Sequence, residues 1–200
     1  MKILAAGCIH NDIDLVKDLA KQAEAEDVDL VVLCGDLTLG ESSTDYLVGP
    51  FMKKNRKVML LPGNHETSAT VDFLARKYNA INLHGYSYLF RDVGFFGCGG
   101  ANCGVFQLGE DEIFKTLSKA HEKVKYAGKK IMVTHVHPAE TMMEMFSDFV
   151  RGSSGVTEAI EKLKPDLLIC SHLHEASGIE EVVGKTKVIN VSRKGKIIEI

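Results

Sequence analysis

The sequence predicts an α/β domain of two mixed sheets packed face to face, with helices on the outside. Three observations point there. Short apolar runs of strand length recur with little alternation, as strands buried on both faces should. Between several of them, apolar residues repeat at three and four positions, the helical period. Beyond Ile179 the pattern breaks into brief runs separated by turn residues.

Taken in order, Lys2 to Gly7 reads as a strand, and Ile13 to Ala25 as a helix with Leu15, Val16, Leu19, Ala20 and Ala23 on its apolar side. Leu30 to Cys34 and Val58 to Leu61 are strands, followed by a helix from Thr70 to Lys77. Phe90 to Cys98 is a further apolar run; Tyr86 to Arg91 and Val93 to Gly97, separated near Asp92, also fit a hairpin. Glu110 to Tyr126 and Val156 to Lys164 are helical, and Lys130 to Thr134 and Leu167 to Cys170 are strands. Glu180 to Val183, Lys187 to Val191 and Lys196 to Ile200, with turns at Gly184-Lys185 and Lys194-Gly195, read as an antiparallel meander. A chain of 200 residues, 45% hydrophobic, can bury one substantial core, so residues 1–200 are expected to form a single domain.

A net charge of −3 with interspersed signs leaves no basic footprint, which disfavours nucleic acid as a partner. No apolar run approaches the roughly 20 residues of a membrane span and the first residues do not form a secretory signal, so a cytoplasmic, membrane-free protein is expected. Five cysteines without a C-x-x-C pair predict free thiols; Cys34 and Cys170, at the ends of apolar runs, behave as small hydrophobes.

Polar, ligand-type residues follow one predicted strand after another. Cys8 and His10 follow the first, Gly35-Asp36 the second, and Gly63-Asn64-His65-Glu66 the third; His135 and His137, then His172 and His174, follow later ones. In α/β sheets the carboxyl ends of strands carry active sites, because their loops converge on one edge. Imidazole, amide and carboxylate gathered there suit two divalent cations about 3.5 to 4 Å apart, which clamp a phosphoryl oxygen and lower the pKa of a bridging water. Asp36 is the one carboxylate directly at a strand end and is the bridging candidate; Gly35 lets the turn pass close.

The order Cys8-Ile9-His10, Gly35-Asp36, Gly63-Asn64-His65-Glu66, His135 and Ser171-His172-Leu173-His174 resembles that of the calcineurin-like metallophosphoesterases, whose first motif is D-x-H. The match runs from residue 8 to residue 174, and Ser-His-x-His-Glu followed by Val-Ile-Asn is similar to small prokaryotic, many of them archaeal, members. The resemblance implies the four-layer fold of that family, a two-sheet β-sandwich flanked by helices. It implies that His10, Asp36 and His174, with Cys8 in the aspartate position, hold a first metal, and that Asp36, Asn64, His135 and His172 hold a second. His65 would be the histidine that protonates the leaving oxygen or steadies the transition state; Asn64 and His65 are candidates to contact the substrate, and His137 either faces it or lines the loop before Pro138. The implied activity is hydrolysis of a small phosphate mono- or diester by hydroxide bridging two ions, manganese, iron, nickel or zinc.

Cys8 is the departure from the pattern. A thiolate there would favour a softer ion such as zinc or ferrous iron. A buried thiol would leave the first site weak, and the chain would then bind a nucleotide or protein partner without turnover. Ser171 stands for a glycine, which asks whether the backbone there is left-handed. Glu66 and Glu175 are candidate acceptors for neighbouring imidazoles. His84 is expected to be structural and His121 to face solvent. Met142, Met143, Met145, Phe146, Phe149 and Val150 suggest a pocket wall, a lid or a homo-oligomer contact through residues 142–150, or equally a helix packed on the core. Gly152-Ser153-Ser154-Gly155 reads as a loop whose N–H groups face phosphate at the start of the next helix.

Overall fold

The computed structural model describes the backbone of residues 1–200 and every side chain except those of residues 54 and 55. The elements follow in the order β1 (Lys2–Ala6), α1 (Ile13–Ala25), β2 (Leu30–Cys34), β3 (Lys57–Leu61), α2 (Ser68–Tyr78), β4 (Ile81–Asn82), β5 (Ser87–Phe90), β6 (Val93–Cys98), α3 (Glu110–His121), β7 (Lys129–Thr134), α4 (Ser154–Leu163), β8 (Leu167–Cys170), β9 (Glu180–Val183), β10 (Thr186–Asn190) and β11 (Lys196–Glu199). One sheet has the order β11-β1-β2-β3-β4 and the other β5-β6-β7-β8-β10-β9. The inner pairs of both sheets are parallel, while β11, β5 and β9 are antiparallel edges.

Side-chain alternation along each strand assigns the layers. Ile3, Leu30, Val32, Met59 and Leu61 of one sheet meet Phe95, Ile131, Val133, Ile169 and Ile189 of the other in a core between the sheets. The residues between them, Leu4, Val31, Leu33 and Leu60, point outward and are covered by Val16, Leu19 and Ala23 of α1 and Val71 and Leu74 of α2. On the far side Phe96, Met132, Leu168 and Val188 pack against Ile113 and Leu117 of α3 and Val156 and Ile160 of α4. Four layers, helix, sheet, sheet and helix, result. Strands buried on both faces explain why the sequence shows runs rather than alternation. No described helix is long and apolar enough to cross a membrane.

The closing meander is the main departure from the sequence reading. β9 and β10 do form a hairpin, but β11 crosses to the other sheet and pairs with β1, Lys2 opposite Glu199 and Ala5 opposite Lys196. Both edges of β10 are already taken, by β8 and β9, so no ladder is left for a third strand. Helix α3 also stops at His121 rather than Tyr126, and the turns after it bring Val124 onto Gly94, where a Cβ would lie 2.6 Å from the valine. His121 is buried, its ring edge-on to Phe96, instead of facing solvent.

Candidate metal centre

Because β1, β2 and β3 run parallel in one sheet and β7 and β8 run parallel in the other, the loops after them open at one end of the sandwich. Those loops are tightly wound. Cys8, His10, Asp36 and His172 all sit in the left-handed region, with φ of 54°, 50°, 51° and 70°. Non-glycine residues there cost roughly 1 to 2 kcal/mol each and persist where the surroundings over-determine them. Here the N–H groups of Cys8 and His10 donate to the carbonyls of Gly35 and Asp36, both at 2.9 Å. Ser171 is outside the left-handed set, so the loop that holds it needs no glycine at that position.

Glu66 locks two of the loops together. It is 1% exposed; Oε1 accepts from the N–H groups of Leu37 and Gly63, and Oε2 from the N–H and hydroxyl of Thr38. Glu66 thus braces the backbone around Asp36 and Asn64 and accepts no hydrogen bond from an imidazole. Gly63 allows the loops to touch: a Cβ there would lie 2.0 Å from Asp36 Oδ1.

The donor atoms form overlapping groups, among them Cys8–His10–His174, Cys8–Asp36–His135 and His10–Asp36–His65. Asp36 Oδ1 accepts the His65 N–H at 2.9 Å, which leaves Oδ2 3.3 Å from His135 Nε2 and 3.6 Å from His10 Nε2. Around His135 Nε2 lie Asn64 Oδ1 at 3.0 Å and His172 Nδ1 at 3.2 Å. Around His10 lies His174 Nε2 at 3.3 Å, and the Cys8 Sγ is within 4.8 Å of the donor atoms of both histidines. Ligands about 2.1 Å from one ion lie roughly 3.0 to 3.4 Å apart at octahedral and tetrahedral corners, a range that the separations around His135 Nε2 and the His10–His174 pair match, while Asp36 Oδ2 to His10 at 3.6 Å is slightly longer. His135 is also set to offer Nε2, because its Nδ1 faces the Cys34 carbonyl at 2.8 Å.

Burial dominates the titration of the imidazoles. It lowers His10 to about 4 and His172 to about 3, and lowers His174 as well, which leaves their lone pairs free at neutral pH. For His135 burial also pulls down, but the Asp36 carboxylate outweighs it and the net shift is upward. Asp36 itself is pushed up by burial and pulled further down by His135 and by the His65 N–H, so it stays ionised. The Cys8 thiol, fully buried and beside Asp36, is raised to about 12 and is neutral; it donates to Ser192 Oγ at 3.7 Å.

A cleft of about 190 Å³ opens above these groups, lined by His10, Asp36, Asn64, His65, Val150, His172, His174 and Glu175. His137, expected beside the substrate, is fully enclosed and is not among these residues. The start of α4 is filled from within the chain: Glu110 Oε2 accepts from the Ser153 hydroxyl and from the Gly155 N–H, leaving that end to a carboxylate rather than to phosphate. In the 142–150 segment Met143 is buried, whereas Met145 and Phe149 are 84% and 94% exposed. One participant carried no motif signal, Cys103, whose Sγ lies 3.4 Å from His172 Nε2; Ser171, part of the last motif, donates its hydroxyl to the Cys34 carbonyl at 2.6 Å.

A helix-flanked double sheet with histidine, asparagine and aspartate donors converging on one carboxylate defines a metal-binding phosphoesterase scaffold. The chain belongs to the calcineurin-like phosphoesterase family, whose sequence profile matches residues 1–176, and that family uses divalent metal ions. Solved structures share the fold. The protein TT1561 of Thermus thermophilus is 18% identical with a TM-score of 0.77, the alignment covering 96% of this chain and 90% of that one. A dimetal phosphatase from Danio rerio is 12% identical with a TM-score of 0.60, over 95% and 86% of the two chains. A novel archaeal phosphodiesterase is 18% identical with a TM-score of 0.57, over 95% and 82%. The search of curated proteins gave no match.

Proposed function

We propose that this protein is a metal-dependent phosphohydrolase for small phosphate esters and that diesters are its better substrates. The observation that carries the reading is the single Asp36 oxygen facing both His135 and His10, the arrangement a carboxylate shared by two cations requires. Asp36, Asn64, His135 and His172 would hold one ion, and Asp36, Cys8, His10 and His174 the other. Bound there, divalent ions supply Lewis-acid polarisation of phosphoryl oxygens and acidify water. His65 engages Asp36 through its backbone N–H, which leaves its ring, 4.9 Å from that of His10, to pass a proton to the leaving oxygen.

Preference for diesters follows from the lining of the cleft. Among the described residues it contains no lysine or arginine, and Arg193, the nearby cation, is engaged with the Cys8 carbonyl and Asp12. A monoester dianion brings one more negative charge than a diester, with no side-chain cation to meet it. Turnover of a chromogenic diester and the matching monoester, with manganese, nickel or zinc added, tests the proposal. Absence of metal-stimulated hydrolysis of either would overturn it.

The neutral Cys8 thiol supports a second reading, in which the first set stays empty and the chain binds a nucleotide or protein partner without hydrolysis. Metal stoichiometry of the purified protein beside Cys8→Asp separates the two. One ion or none, with activity appearing only in the aspartate variant, favours the second.

A further inference from the structure

We propose that Cys103 is a positioning residue for His172, taking the hydrogen on its outer ring nitrogen so that the inner one faces the metal centre. This rests on the reading above that His172 is a ligand. The ring shows two different sides: Nδ1 lies 3.2 Å from His135 Nε2 inside the donor set, and Nε2 lies 3.4 Å from the Cys103 Sγ. An imidazole that offers its Nδ1 lone pair must carry its proton on Nε2, and a ligand histidine is normally held in that tautomer by an acceptor on the far nitrogen. His135 has the Cys34 carbonyl for this purpose. For His172, among the described residues, the group within reach of the outer nitrogen is the Cys103 sulfur.

The loop that carries Cys103 is built to hold that position. Gly104 has a φ of 90°, and a Cβ there would lie 2.2 Å from Asn64 Nδ2, so the backbone is pressed against the amide of a second ligand in the same set. The Phe106 N–H donates to the Asn64 carbonyl at 3.0 Å. The Asn102 amide anchors the loop to Glu110 Oε1 at 3.0 Å and to the Gly152 carbonyl at 2.9 Å. One loop therefore steadies Asn64 through its backbone and His172 through a thiol. The half-buried sulfur is a weak acceptor, but a ligand imidazole N–H is more acidic than a free one and makes the better donor to it.

The test compares wild type, Cys103→Ala and Cys103→Ser in two measurements. Long-range ¹H–¹⁵N spectra of the metal-free proteins read the His172 tautomer: the Nε2–H form is expected in wild type and in Cys103→Ser, with a mixture in Cys103→Ala. Competition with a chromophoric chelator reads zinc affinity: about a tenfold loss at the Asn64–His135–His172 set is expected for Cys103→Ala, and less than about threefold for Cys103→Ser. An unchanged tautomer together with unchanged zinc affinity in Cys103→Ala overturns the role of Cys103 and leaves the phosphohydrolase reading standing. A wild type that binds none of zinc, manganese and nickel overturns that reading, while the tautomer still decides whether Cys103 orients the ring.

Discussion

The backbone N–H of His172 donates to the Sγ of Cys8 at 3.2 Å, joining loops from the two sheets across 164 residues of sequence. The sulfur that stands in the family's aspartate position is thus part of the loop architecture, and it is a neutral thiol beside a carboxylate.

That protonation state would make the affinity for an ion at the Cys8 set depend on pH. With the thiol raised to about 12, an ion entering the Cys8–His10–His174 set displaces a proton throughout the neutral range, whereas His10, lowered to about 4, contributes none. Affinity at that set is expected to rise about tenfold per pH unit between roughly pH 6.5 and 8.5. In Cys8→Asp the ligand is already ionised, and the slope should flatten. Chelator competition across that pH range is the measurement; equal slopes in the two proteins would contradict thiolate ligation.

His65 tests the division between ring and backbone. Its N–H, not its imidazole, holds Asp36, so His65→Ala should retain metal occupancy while kcat on a diester falls roughly 100-fold or more. Metal analysis and steady-state kinetics on the same preparation decide it. A loss of bound metal would show that the ring itself is a ligand.

Glu66 should be worth more to stability than an ordinary surface acid. Removing a buried carboxylate that satisfies four donors leaves those donors stranded, and Glu66→Ala is expected to cost about 3 kcal/mol by denaturant unfolding. Glu66→Gln, which keeps one acceptor oxygen, should cost less.

Gly63→Ala puts a methyl group 2.0 Å from Asp36 Oδ1 and 2.2 Å from the Asp36 nitrogen, backbone that cannot swing away. The expected result is a lower melting temperature together with lost zinc binding. A variant with unchanged affinity would mean that the Asp36 and Asn64 loops are looser than their contacts indicate.

How much of this could be read before folding depends on the kind of signal. Buried parallel strands leave apolar runs, and ligands placed directly after them leave an ordered motif, so the donor residues Asp36, Asn64, His135, His172, His10 and His174 stand out in one dimension. The path of β11 did not, because pairing with β1 is decided by which sheet edge is free, and edges exist only once β8, β9 and β10 have assembled. His137 shares the spacing of the other histidines but turns inward, and spacing alone carries no depth.

Residue order alone was enough for the scaffold and the family, since these depend on periodicity and on motifs local to strand ends. Packing of the two sheets determined the rest. It brought Cys8 against His172, turned one Asp36 oxygen toward both His135 and His10, set Glu66 between two loops as a brace, and placed Cys103 on His172 from 69 residues away. Such contacts form between segments with no shared period, and their energies arise from burial and direction, which a linear chain does not yet have.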